Sequence, residues 1–174
     1  SLNKTLSYNL KLSLNCSAKL LHFRGLPEII SDALLKYDFS PECFELEITE
    51  NSLMRDLNSS RAMINRLFEL GISIALDDFG TGLSSLAQLK NLPISSMKID
   101  GTFIRDIDAS PGDEHIVKAI IELSRKIGIE SVAEGVEKES QLQFLKNAGC
   151  DIAQGFFICK PLPMEELRAF LGLS

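Results

Sequence analysis

The sequence predicts an α/β fold, a TIM-like (β/α) barrel of parallel strands that is incomplete and has about six βα units. Short apolar runs rich in β-forming residues alternate with longer stretches of helical period. Nearly every apolar run ends in a side chain that can bind a metal ion or a phosphate. The 174 residues suffice for one domain with a sizeable core. A complete barrel, by contrast, typically has eight units and ~250 residues.

The apolar runs and the helical stretches give the predicted elements in order. The strands are expected at 10–17, 44–49, 73–79, 95–100, 130–135 and 151–158. The helices are expected at 26–37, 58–71, 83–91, 113–128, 138–149 and 164–172. Gly71, Gly128 and Gly149 follow helical stretches, as left-handed caps do, and Asn58 and Asp113 suit helix N-caps. Strict alternation of strand and helix predicts parallel strands joined by right-handed crossovers.

The polar residues at the strand ends favour a barrel over an open doubly wound sheet. In an open sheet, ligand-binding groups concentrate at one switch point, whereas every strand of a barrel points its carboxyl end at the same mouth. Here every predicted strand carries such a group near its end: Asn15, Glu47, Asp77 with Asp78, Lys98 with Asp100, Glu134 and Gln154.

Each of these polar residues also has a purely structural interpretation. A glutamate at a strand end is commonly a cap or a solvated charge, and adjacent aspartates can form an Asx-turn. Lys98 could simply pair with Asp100, and Gln154 could fill a barrel layer. Taken together, however, four carboxylates in one mouth would repel one another unless cations neutralised them.

The candidate ligands are all oxygen donors, which select Mg²⁺ or Mn²⁺. Adjacent aspartates suit a two-metal site, in which one carboxylate bridges ions ~3.5–4 Å apart and its neighbour holds one ion. Lys98 could orient the attacking water or offset negative charge on the phosphoryl group. "GTGLSS" is not a nucleotide-binding glycine motif, and we interpret it as a flexible loop beside the metals.

Composition and charge exclude several other classes of function. The net charge of −6 argues against binding a nucleic-acid polymer or an anionic membrane, but it permits an anionic substrate held through metal ions. No apolar run approaches the ~20 residues of a membrane span, so no membrane contact is expected of this segment. Four isolated cysteines indicate a reducing cytoplasm, and two histidines do not support a zinc centre.

Six motifs in order along the chain resemble those of the EAL-domain cyclic-di-GMP phosphodiesterases. They are "LNCS", "FELEITE", "IALDDFGTGLSSL", "MKIDGTFI", "ESVAEGVE" and "GCDIAQGFFICKPLP". The resemblance covers essentially the whole chain. It implies a barrel that hydrolyses cyclic di-GMP to linear pGpG in bacterial second-messenger signalling, using Mg²⁺ or Mn²⁺. In this family, Ca²⁺ commonly permits binding without turnover and is therefore expected to inhibit.

The resemblance also implies a role for each matching residue. Five positions correspond to metal ligands, with Asp77 bridging both ions: Asn15, Glu47, Asp77, Asp78 and Glu134. Lys98 would contact the nucleophilic water or the phosphate, and would form the catalytic set with Asp77, Asp78 and Glu134. Glu50 would steady the loop at 79–85, while Glu137 and Gln154 would support the substrate and the site geometry.

The chain departs from the family pattern at two places. The Glu-Ala-Leu strand, which supplies one metal ligand in the family, is absent, and two early strands are missing. Residues 1–174 are therefore expected to form a single partial EAL domain, the last two-thirds of such a domain. Leu83 stands where the family usually has an aromatic residue. Open strand edges predict either edge pairing with a second copy or marginal stability, and the family often forms homodimers.

Three functions remain in competition. The first is a cyclic-di-GMP phosphodiesterase, of which this segment alone could be inactive. The second is a non-catalytic cyclic-di-GMP receptor, and the third is a (β/α)-barrel metalloenzyme acting on another phosphoester. Every ligand position within the chain is filled, which favours an enzyme over a receptor. The location is expected to be cytoplasmic, within a parent protein that could be membrane-anchored.

Overall fold

A computed structural model describes residues 10–80, 89 and 91–173. It contains one six-stranded sheet in which neighbouring strands are parallel and follow the order of the sequence. The strands are β1 (Leu12–Cys16), β2 (Phe44–Thr49), β3 (Ser73–Phe79), β4 (Ser96–Ile99), β5 (Glu130–Ala133) and β6 (Ile152–Ala153). The predicted α/β barrel-type fold with about six βα units is thereby confirmed.

Helices lie between most successive strands and follow the last one. In the described residues they are α1 (Ala18–Leu21), α2 (Leu26–Lys36), α3 (Glu50–Met54), α4 (Leu57–Glu69), α5 (Gly101–Arg105), α6 (Pro111–Ile127), α7 (Glu139–Ala148) and α8 (Met164–Phe170), with a 3₁₀ turn at Pro41–Cys43. Three of them were not predicted, because α1, α3 and α5 are too short to show a helical period. Most of the helix predicted at 83–91 lies outside the described residues.

The N-caps of α4 and α6 differ from those predicted. Asp56, not Asn58, caps α4, and its side chain accepts a hydrogen bond from the Ser59 N–H. Ser110, not Asp113, caps α6, because Pro111 occupies the first turn, where its missing N–H costs nothing. Both helices therefore begin earlier than the apolar period indicates.

The two faces of the sheet have opposite character. One face is the core, where residues aligned across neighbouring strands are almost fully buried: Leu46, Ile48, Ile74, Leu76, Met97 and Ile99. The other face carries the residues that alternate with these along each strand. Among them are Asn15 and Glu47, which lie side by side on β1 and β2. Because side chains alternate along a strand, apolar burial on one face places the polar groups together on the other.

The sheet is an open segment of a barrel. Within the described residues, β1 pairs with β2 alone and β6 with β5 alone. Leu12 and Leu14 on β1 are each about half exposed, at 54% and 50%. None of the described helices is both long enough and apolar enough to cross a membrane.

Candidate active site

The adjacent aspartates lie in a β-bulge. Leu76 on β3 is aligned with Met97 on β4, but the next aligned pair is Phe79 with Ile99, so Asp77 and Asp78 together oppose the single residue Lys98. Asp78 has a left-handed backbone with φ of 53°. In a regular strand, two consecutive side chains point to opposite faces. The bulge re-aims one of them and brings two acids to the end of the same strand.

Lys98 is the centre of a buried cluster of charges. Its Nζ lies 2.6 Å from Glu134 Oε1, 2.7 Å from Glu47 Oε1 and 3.5 Å from Asp77 Oδ1. The three acids come from β2, β3 and the residue that follows β5, so only the tertiary structure brings them together. The Lys98 side chain is 7% exposed, which strengthens each of these attractions relative to a surface pair.

The cluster shifts the protonation of its members. Burial lowers the pKa of Lys98, but hydrogen bonds with Glu134 and Glu47 outweigh it, and the pKa is raised well above its usual value. Burial also disfavours the charged form of Glu134 and so raises its pKa, although the positive charge of Lys98 acts in the opposite direction. Without metal ions, the acids around Lys98 thus favour its ammonium form, which acts as a charge and a hydrogen-bond donor.

Asp78 and Asp100 form a second acidic pair beside the cluster. Burial raises the pKa of Asp78, and the nearby charges of Asp77 and Asp100 raise it further. Hydrogen bonds from the Thr102 hydroxyl and its N–H lower the pKa of Asp100, whose side chain caps α5. The two shifts run in opposite directions, so Asp100 is the stronger acid of the pair.

The remaining predicted residues surround this cluster. Asn15 is exposed on β1, in register with Glu47. Gln154 lines a cavity of about 220 Å³ that Glu47 and Lys98 also line. Glu50 is buried, and its Oε2 accepts a hydrogen bond from the Gly80 N–H at 3.3 Å.

Glu50 therefore contacts the start of the loop that it was predicted to steady. Residues 81–85 of that loop, including Leu83, lie outside the described residues. Glu137 is exposed in the loop after β5, where its backbone N–H donates to the Gln141 side chain.

The donor set fits divalent cations. Three carboxylates face one ammonium group, and Asp77 Oδ1 is buried without a hydrogen-bond partner in the described structure; its contact with Lys98, at 3.5 Å, is an ion pair only. All the donors are oxygen atoms, which hard cations prefer. In the described part of the chain, no three acidic, histidine or cysteine side chains already converge as a metal centre. Glu47 and Glu134 turn instead toward the Lys98 ammonium.

Sequence reasoning missed two buried polar residues near the site. Glu45, 8% exposed, accepts hydrogen bonds from the Ser13 and Ser96 hydroxyls. Its signal is the alternation in "FELEIT", which places it on the same face as Glu47. Gln141 is 1% exposed, and no sequence signal marks it, since Lys138 at the N-cap has no side-chain acceptor with which to form a capping box.

Comparison with known proteins gives one family. The family model described as "EAL domain" matches residues 2–161. The cyclic di-GMP phosphodiesterase NbdA of Pseudomonas aeruginosa is 41% identical over 162 residues, which are 93% of this chain and 21% of that protein. The chain spans about a fifth of the length of three curated relatives that it matches.

Solved structures show the same fold. The PaMucR phosphodiesterase, in complex with cyclic di-GMP, superposes with a TM-score of 0.88 at 41% identity, over 90% of this chain and 64% of that one. Klebsiella pneumoniae BlrP1, solved with manganese and cyclic di-GMP, has a TM-score of 0.79 at 30% identity, over 84% of this chain and 38% of that one. With the family model covering nearly all of its length, this chain belongs to the EAL domain family.

Proposed function

We propose that this chain is the catalytic core of a phosphodiesterase that hydrolyses cyclic di-GMP to linear pGpG with Mg²⁺ or Mn²⁺. The observation that carries the proposal is the bulge that sets Asp77 and Asp78 opposite Lys98, where Glu47 and Glu134 also converge. NbdA and PaMucR, both named as phosphodiesterases, support the reaction, and the cyclic di-GMP complex of PaMucR supports the substrate.

The metal ligands of the proposal are the five residues of the sequence prediction: Asn15, Glu47, Asp77, Asp78 and Glu134. Bound divalent ions would acidify a water molecule and neutralise charge on the phosphoryl group. Asp77 is suited to a shared position, because one of its oxygens is buried and makes no hydrogen bond within the described structure. Glu47 and Glu134 hold Lys98 from two sides and so fix where its ammonium points.

Hydrolysis opens one phosphodiester bond of the cyclic substrate. The water oxygen bonds to phosphorus, the bond from phosphorus to the 3′ oxygen breaks, and the proton released by the water ends on that oxygen. The product then carries a 5′ phosphate and a free 3′ hydroxyl, as pGpG does. The Lys98 ammonium is placed to hydrogen-bond the water or a phosphate oxygen and to stabilise the charge that develops there.

The experiment is product analysis of cyclic di-GMP incubated with the protein and Mg²⁺, Mn²⁺ or Ca²⁺. We expect pGpG with Mg²⁺ or Mn²⁺, and binding without cleavage with Ca²⁺. Asp77→Asn should lower turnover by at least about 100-fold, because second-sphere and ligand changes at metal sites already cost 10–100-fold. Glu122→Gln, an exposed carboxylate on α6, is the matched control and should leave turnover unchanged.

A parallel arm joins the chain to the Glu-Ala-Leu segment of a relative, since that segment supplies a metal ligand in the family. Cleavage in either arm supports the proposal. Binding of cyclic di-GMP without cleavage in both arms, under every metal, would contradict it and identify a receptor. Parallel assays with cyclic di-AMP and linear dinucleotides test the substrate.

The proposal includes a cytoplasmic location. All four cysteines are free, and Cys16 and Cys43 are buried. Burial raises the pKa of Cys16 to about 11, so its thiol is inert at neutral pH. Unpaired thiols are typical of a reducing compartment.

A further inference from the structure

The loop that carries Glu134 is tied to its neighbours by one buried side chain, that of Gln141 on α7. The Gln141 Oε1 accepts hydrogen bonds from the N–H groups of Glu137, at 2.8 Å, and Lys138, at 2.9 Å. Its Nε2 donates to the carbonyl oxygens of Ile104, at 3.0 Å, and Arg105, at 3.3 Å. The amide thus uses both donors and both acceptor positions, and it joins the loop 134–138 to the end of α5.

The same loop is also confined by direct backbone contact. Gly135 turns with a φ of 70°, and a Cβ built on it would lie 3.3 Å from the Gly101 Cα at the start of α5. On the other side, a Cβ on Gly155 would lie 2.2 Å from the backbone N and O of Val136. Val136 also donates its N–H to Gln154 O at 3.1 Å and accepts from Phe157 N at 2.9 Å.

These contacts connect Gln141 to the proposed site through a short path. α5 follows β4, which carries Lys98, and the loop begins with Glu134, whose carboxylate lies 2.6 Å from the Lys98 ammonium. Gln141 therefore joins α5, which follows the strand of Lys98, to the loop that begins with Glu134. Without it, the loop would lose its buried link to the end of α5, and only the exposed ion pair of Lys138 with Asp108, at 3.5 Å, would join it to the segment after α5.

We propose that Gln141 is a positioning residue, which holds the loop 134–138 against α5 so that Glu134 meets Lys98 and the metal site at one fixed distance. The part of this inference that concerns the metal site rests on the proposed function. The part that concerns the ion pair between Glu134 and Lys98 does not. A Gln141 that only stabilised the fold would alter the unfolding temperature and leave the geometry around Lys98 unchanged.

The test compares three variants of the chain. Gln141→Leu removes all four hydrogen bonds at similar volume. Gln141→Glu retains the acceptor for Glu137 and Lys138 but loses at least one donor to α5. Gln143→Leu is the matched control, since Gln143 lies on the same helix but is exposed and bonds only Asn147 at 3.1 Å.

Two readouts are measured on folded protein. The first is the ¹⁵N resonance of the Lys98 ammonium without metal, whose proton exchange reports the pairing with Glu134. The second is Mn²⁺ affinity by calorimetry without substrate. For Q141L we expect faster ammonium exchange and a 10–100-fold weaker Mn²⁺ affinity, the usual cost of removing a residue that supports a metal ligand. Q141E should show a smaller but measurable loss of both, and Q143L none.

Unchanged ammonium exchange and Mn²⁺ affinity in Q141L would overturn the inference. If Q141L does not fold, the test rests on Q141E. Ammonium exchange and Mn²⁺ affinity in Q141E equal to those of the unmodified protein would then overturn the inference. If neither the unmodified chain nor its fusion to the Glu-Ala-Leu segment binds Mn²⁺, the proposed function fails instead, and the ammonium signal alone still decides whether Gln141 positions Glu134.

Discussion

At the scale of single residues, the site depends on Lys98 being surrounded by acids. The ammonium offsets the carboxylates of Glu47, Asp77 and Glu134, all of which are largely removed from water. Acids brought this close repel one another unless a cation lies among them. Lys98 therefore stabilises the fold as well as serving the proposed reaction.

Lys98→Met should destabilise the metal-free chain by about 3–5 kcal/mol, because it leaves buried carboxylates without a counter-charge. The measurement is urea unfolding followed by circular dichroism. Lys126→Met, an exposed lysine paired with Glu122 on α6, is the control and should cost no more than about 0.5 kcal/mol. Mn²⁺ should restore part of the loss in K98M, and equal stability of the two variants would contradict the charge argument.

At the scale of elements, the short β6 is attached to β5 by more than its backbone ladder. Asp151, directly before β6, accepts hydrogen bonds from the Ser131 N–H at 2.8 Å and from its hydroxyl at 2.7 Å. These bonds lower the pKa of Asp151. Since β6 has only two residues, this side chain is a substantial part of what holds Gln154 and the end of the sheet in place.

The depressed pKa of Asp151 predicts a pH dependence of stability. A carboxyl whose pKa is lower in the folded state adds stability above its unfolded pKa, near 3.9, and this contribution is lost as the pH falls through the folded pKa. Asp151→Asn should therefore lower the free energy of unfolding at pH 7 and make it fall less steeply in acid. Urea unfolding from pH 7 to pH 2 measures this effect. Asp32→Asn, an exposed change on α2, is the control, and parallel curves for the unmodified chain and D151N would refute the prediction.

At the scale of the whole molecule, the open sheet leaves β1 with one strand partner in the described structure. Its apolar Leu12 and Leu14 are half exposed on the face that becomes the core in the neighbouring strands. An exposed apolar edge strand is a template for pairing with another chain. The chain is therefore expected to self-associate or to be marginally stable.

Leu14→Lys should reduce this self-association, since a charge on an edge strand opposes edge-to-edge pairing. Sedimentation velocity across a concentration series measures the effect. Leu35→Lys is the control, because Leu35 is 77% exposed on α2, away from the edge. A monodisperse monomer with a high unfolding midpoint in the unmodified chain would count against both expectations.

The success of sequence reasoning differed between the strands and the details of the site. Five strands were predicted to within two residues because their signal is local: apolar residues with a period of two, ended by turn residues. The sixth, predicted at 151–158, is only Ile152–Ala153, because an apolar run does not by itself show how many of its residues pair with a neighbouring strand. The short helices α1, α3 and α5, the two N-caps and Gln141 were missed, because four or five residues show no period and a buried glutamine is indistinguishable from an exposed one in a helical pattern.

The sequence by itself determined the strand order, the parallel fold and the polar residues at the strand ends, because periodicity and residue type are local properties. Only the tertiary structure decided which of those residues meet. Glu47, Asp77 and Glu134 lie far apart in sequence and converge on Lys98 through the strand register. The bulge, which no local pattern indicates, sets two adjacent aspartates opposite one lysine in the register, because two residues of β3 oppose one of β4.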